Sequence, residues 1–167
     1  MPVGRLMNEF QTIRQLLEGA ERLANESGEA LPGPEHLLLS ALALPDGTAR
    51  QAFERLGADP DGLEAAIAGQ HADALRAVGI QVDGDGPVVP APEPRGVFHS
   101  MPSAQAAFRR AVELSKASKP RRLLGAHVVL AITETGRGTM VRALDRMGVN
   151  REELAAAARE ELAPAVG

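Results

Sequence analysis

This chain has no cysteine, no tryptophan and no tyrosine, and its four phenylalanines are its only aromatic residues. Without thiols there can be no disulfide scaffold, no cysteine zinc site, no iron–sulfur cluster and no thiol nucleophile. An aromatic share of 2% removes residues that strands favour, whereas alanine and leucine, both strong helix formers, dominate the 44% apolar content. An all-β fold is set aside on that composition. No apolar run approaches the roughly 20 residues that span a bilayer, and the opening MPVGRLMNEF lacks the apolar core of a signal peptide. The expectation is a cytoplasmic protein with no membrane partner. There is no G-x-x-x-x-G-K-S/T either: Gly136-Arg137-Gly138 has neither the spacing nor the lysine needed to cradle phosphates. A G-x-S-x-G nucleophile elbow is missing too, so neither ATP-driven work nor hydrolysis is expected.

What is present fits one domain of ordinary size or two very small ones, in 167 residues and 17.5 kDa. The net charge of −4 hides a division: residues 1–86 sum to −8 and residues 87–167 to +4. A nucleic-acid binder is normally basic across its contact face, so the division speaks for two units with different surfaces.

Helical periodicity begins early. In QTIRQLLEGAERLANES, Ile13, Leu16, Leu17, Ala20, Leu23 and Ala24 form one apolar stripe. That helix should end near Gly28. Pro34, at home in a first helical turn, opens a second and nearly all-apolar helix, GPEHLLLSALAL, which reads as buried and central. Asp46-Gly47 breaks it. A short third helix follows, with Ala49, Ala52, Phe53 and Leu56 inward and Gly57 as its stop. Asp59-Pro60 then reads as the cap and first residue of a fourth, through Leu63, Ala66 and Ile67.

The pattern recurs. A shift of 91 aligns residues 35–66 with residues 126–157 without a gap, and 10 of the 32 positions are identical. Besides alanine pairs, the matches include His36/His127, Gly47-Thr48/Gly138-Thr139 and Arg55-x-Gly57/Arg146-x-Gly148, all at expected helix boundaries. Asn150 with Glu153 forms a capping-box-like start for the last helix. The fold expected is all-α: two tandem, pseudo-symmetric four-helix repeats, eight main helices in all. Repeat one would occupy 1–82, with a short extra helix near 71–79, and repeat two 101–167, both in one globular domain. Between them, 83–100 carries Pro87, Pro90, Pro92 and Pro94 and reads as an extended Pro/Gly-rich linker.

GPEHLLLSAL, the Gly-Thr turn, AFERLG and the weaker second copy at LLGAHVVLAI resemble the double repeat at the N-terminus of Clp unfoldases. They are most similar to the ClpC type, whose repeats carry a Gly-x-Glu-His-(aliphatic)3 signature, here Gly33-Pro34-Glu35-His36-Leu37-Leu38-Leu39. With no ATPase motif beside it, the resemblance implies a free-standing Clp N domain of the actinobacterial kind. It further implies a non-enzymatic protein-binding module without cofactor, whose partners are Clp protease components or client proteins and peptides. Adaptor, competitor of the unfoldase's own N domain, and sequestering protein for toxins or cyclic peptide antibiotics all stay open.

By the same resemblance Glu35 would grip the guanidinium of phosphoarginine while helix N-termini and hydroxyls hold the phosphate. As a first-turn acid it also simply suits the helix dipole. Ala126 stands where the second copy should have its Glu, so at most one such pocket survives. Thr12 and Ser103 are the nearest equivalents of the family's phosphate-side hydroxyl, and both also read as helix N-caps. His36 and His127 lack further ligands at workable spacing, so packing roles are expected and no metal. Lys116, Lys119, Arg121 and Arg122 form a basic knot, either a solvated loop or a contact for an acidic partner. The rival function is a helical DNA-binding regulator using the basic second half. With no interleaved aromatics to stack bases, nucleic acid is the weaker expectation.

Overall fold

The computed structural model describes residues 2–77, 79, 101–118, 122–134 and 138–163, of which 2–8, 71 and 73–75 are described by backbone alone. The expected linker at 83–100 lies outside them. Among the described residues there are eight helices and no strand: α1 (Pro2–Glu26), α2 (Pro34–Leu42), α3 (Thr48–Arg55), α4 (Gly62–Ala77), α5 (Pro102–Ala117), α6 (Gly125–Thr133), α7 (Thr139–Arg146) and α8 (Arg151–Leu162). Shifted by 91, α2 falls on α6 and α3 on α7 residue for residue. None of these helices is long and apolar enough to cross a membrane.

The two apolar runs lie at the centre, as their composition demands. Every residue of α6 is buried, and so are Leu37, Leu38, Ala41 and Leu42 of α2. α1 covers α2, α5 covers α6, and the two central helices touch each other. The remaining helices are exchanged: α3 packs on α6 and α8, and α4 packs on α7. One continuous apolar cluster therefore unites Leu16, Leu37, Phe53 and Leu63 with Val128, Leu144 and Leu154. At the surface of the exchange, Arg55 of α3 reaches Glu160 of α8 at 2.8 Å.

Repeated punctuation gives the two halves matching turns. Gly57 and Gly148 sit at φ 70° and 74°, a left-handed conformation that glycine adopts without steric cost. In each, the N–H of the next residue donates back into the helix, from Ala58 to the Phe53 carbonyl and from Val149 to the Leu144 carbonyl. This double closure satisfies carbonyls that the helix end would leave bare.

The structure departs from the sequence reading at four places. α1 starts about ten residues earlier than the stripe suggested, so Thr12 lies inside the helix and is not its N-cap. Met101, not Ser103, is the N-cap of α5, and Ser103 is an exposed residue of its first turn. Among the described residues, 71–77 do not form a separate helix but continue α4, which runs unbroken from Gly62 to Ala77. α4 also begins two residues after Pro60: Asp59 Oδ1 accepts the Asp61 N–H at 3.0 Å and closes a turn ahead of the helix. Asn150 behaves as expected, its side chain accepting the Glu153 N–H at 3.0 Å.

At Gly125 the two halves come closest. A Cβ there would stand 2.9 Å from Ala49 Cβ and 3.1 Å from the Ala41 carbonyl oxygen. Both are fixed to backbone and cannot swing away. Gly125→Ala should therefore lower the unfolding free energy by about 1–3 kcal/mol. A urea titration would show this as a lower midpoint at unchanged slope, and an unchanged midpoint would mean that α6 does not approach α3 as described.

Candidate functional site

The Gly33-Pro34-Glu35-His36 signature has a local physical logic. Gly33 is the N-cap of α2 and Pro34 its first residue, where a missing N–H costs nothing. His36 turns back so that Nδ1 accepts the Gly33 N–H at 2.9 Å. The neutral ring then carries its proton on Nε2, which faces Ser27 Oγ at 3.2 Å and Glu29 at 3.3 Å. The second half repeats the device: His127 Nδ1 accepts the Leu124 N–H at 2.9 Å, and Nε2 meets Ser118 Oγ at 3.2 Å. Each histidine thus ties the end of the preceding helix to the start of a central one. Burial in this setting lowers the His127 pKa to about 4, against a smaller opposing pull from Asp46.

The Glu35 carboxylate folds back over Gly33, with both oxygens 2.7 Å from where a Cβ would stand, so a side chain at 33 would have to displace it. The Glu35 side chain is only 7% exposed. His36 Nδ1 lies 3.7 Å from it, and that nitrogen already accepts a hydrogen bond. A buried carboxylate without a donor is costly, and a planar cation with several N–H groups would relieve that cost. Glu29, Glu35 and His36 are close enough to suggest a cation site. They do not suit a metal, because the ring offers no free lone pair: Nδ1 is occupied and Nε2 carries the proton.

The matching position before α6 is sealed from within. Asp46, in the turn between α2 and α3, accepts the Gly125 N–H at 3.2 Å, and Thr48 Oγ1 accepts the Ala126 N–H at 2.9 Å. Asp46 also accepts the Thr48 N–H at 2.9 Å, which fixes the pair. A loop of the first half therefore supplies the carboxylate and hydroxyl at the helix start of the second.

The sequence candidates sort into two places. The start of α5, which carries Ser103, is anchored to the segment before Gly33 by the Met101 N–H donating to the Pro32 carbonyl at 3.0 Å. Thr12 and Arg122 instead line a groove of about 200 Å³ at the mouth of α6, together with Gln11, Asp46 and Leu124. Glu35 and Thr12 thus belong to different sites. Lys116 is exposed in the last turn of α5, while Lys119 and Arg121 lie outside the described residues. Sequence reasoning missed Asp46 and Thr48, which read only as a helix break. It also missed the Ser27/Ser118 pair, which sits at the repeat offset of 91 but beyond the gap-free stretch.

Residues 11–91 match the family model of the Clp repeat (R) N-terminal domain. No curated protein matches the chain in sequence. In structure it is similar to the N-terminal domain of the caseinolytic protease associated chaperone ClpD from Arabidopsis thaliana, with a TM-score of 0.59 and 20% identity over 91% of this chain and 94% of that one. Residues 11–91 are thus similar to the Clp repeat N-terminal domain, and the chain as a whole has the Clp N-domain fold.

Proposed function

We propose that this chain is a non-enzymatic protein-binding module of the Clp protease system, of the ClpC type and cytoplasmic, with a single phosphoarginine-type pocket at Glu35. The carrying observation is the contrast between the two helix starts. Before α2 a buried carboxylate stands without a donor among the described residues, whereas before α6 Asp46 and Thr48 already fill the corresponding place. Ser103, at the neighbouring start of α5, is the hydroxyl candidate for the phosphate. Such a module would act stoichiometrically, by delivering marked clients, by competing with an unfoldase's N domain, or by sequestering peptides, cyclic antibiotics included. Each of these depends on abundance and affinity through mass action.

Calorimetric titration with free phosphoarginine tests the pocket. One saturable site is expected, lost in Glu35→Gln, a variant that keeps shape and removes charge. Absence of heat in the wild type would remove phosphoarginine from the account and leave protein binding to be sought by pull-down with Clp components. The DNA-regulator reading gains no comparable support: Arg110 is committed to Glu134 at 2.8 Å and to Glu113 at 3.3 Å, and Arg55 to Glu160.

A further inference from the structure

The two halves differ most in how their fourth helix meets the central one. α8 lies along α6, and its small residues Ala155 and Ala158 are buried against it. At the corresponding positions α4 carries Glu64 and Ile67, and this helix meets α2 only at its edge. The consequence shows in an equivalent leucine pair: Leu130 is 6% exposed and buried, while Leu39 is only half-buried. Two adjoining hollows of about 210 and 240 Å³ open there, sharing Leu23, Leu39 and Glu64. They form one groove bounded by α1, α2 and α4; Ser27 and His36 line its end beside the Glu35 site, but Glu35 itself does not line it.

Its floor is apolar, with Leu23, Leu39 and Ile67, and its rim is acidic, with Glu26, Asp61 and Glu64. Asp61 is held by Arg50 at 3.0 Å, and Arg22 stands 4.0 Å from Glu26. Glu64 is exposed and has no ion pair among the described residues. The surrounding half of the chain carries a net −8. We infer that this groove docks a basic amphipathic segment of a partner protein, its apolar face on Leu23, Leu39 and Ile67 and its Lys or Arg residues against Glu26 and Glu64. The inference rests on the protein-binding reading but not on the phosphoarginine pocket. A second copy of the chain fits less well. Among the described residues its large exposed apolar side chains are Phe10, Leu31 and Met101, the first next to Glu9 and the second two residues from Glu29.

The test uses a fluorescent peptide of about 14 residues, four helical turns, with Leu at helical i, i+3, i+4 spacing and Lys elsewhere. A control peptide carries Glu in place of every Lys. Fluorescence anisotropy should show saturable binding of the basic peptide and at least about tenfold weaker binding of the acidic one. The double variant Glu26→Lys/Glu64→Lys should weaken binding about tenfold. An equal charge change elsewhere on the surface, Glu18→Lys/Asp145→Lys, should leave it within about twofold. Methyl NMR shifts should centre on Leu23, Leu39 and Ile67. Equal losses in the two double variants, methyl shifts elsewhere, or peptide-independent self-association would overturn the proposal. Glu35→Gln should bind the peptide as the wild type does, so failure of the phosphoarginine titration and failure of the groove give separate signatures.

Discussion

Phe53→Ala is expected to remove about 4 kcal/mol of unfolding free energy, a large part of the 5–15 kcal/mol typical of a domain. Phe53 is fully buried and is the largest such side chain in the core. It sits on α3, the helix that the first half lends to α6 and α8. Its surroundings are poor in atoms that could refill the space, since alanines such as Ala49, Ala52 and Ala158 form much of the same cluster and have no rotamers to swing inward. Loss of the ring therefore leaves a cavity rather than a collapsed core. Urea denaturation followed by circular dichroism measures the effect directly. Phe10, 72% exposed on α1, provides the contrast: its alanine variant should stay within about 0.5 kcal/mol of the wild type. A loss below about 1 kcal/mol at Phe53 would mean that α3 does not bury its inner face between the two halves.

Acid should weaken the protein before its carboxylates are titrated. His127 is 1% exposed, and its pKa falls from 6.5 to about 4 because burial disfavours the imidazolium. Between those values the unfolded chain takes up a proton that the folded chain refuses, so stability falls as pH falls and is fully present above pH 6.5. The accumulated loss near pH 4 is on the order of 3 kcal/mol. Folded carboxylates contribute their own slopes below about pH 5, so the clean comparison is with His127→Asn, whose amide can still accept the Leu124 N–H without titrating. The wild type should show the steeper decline between pH 6.5 and 5. Parallel curves for the two proteins would sink the assignment of a neutral, buried ring.

Much of this fold is legible because its punctuation is chemical. Gly-Thr at 47 and 138 and Arg-x-Gly at 55 and 146 mark helix ends that the structure reproduces at the same offset. The early start of α1 was missed although Val3, Leu6, Met7 and Phe10 carry the apolar spacing on to Ile13, because Pro2 and Gly4 weigh against a helix there. In the site, Glu35 and His36 could be singled out, but the folding of the Glu35 carboxylate back over Gly33 could not, because spacing does not report it. Asp46 is harder still, because the Gly125 N–H that it serves lies 79 residues away. The groove beside α4 depends on the separation of two helices. The exchange of Ala155 for Glu64 and of Ala158 for Ile67 at the repeat offset was its one trace in the sequence.

The exchange of α3 and α4 between the halves also governs the order in which the molecule can be completed. During synthesis the inner face of α3, with Ala49, Ala52 and Phe53, emerges well before α6 and α8, the surfaces that cover it. At ribosomal rates of about 5–20 residues per second, the intervening stretch of roughly 90 residues takes about 5–20 s to appear. Over that interval the nascent first half offers a sticky, unfinished surface. α8, about 100 residues further along, is among the helices that close it, so folding is non-local despite the short-range character of every helix.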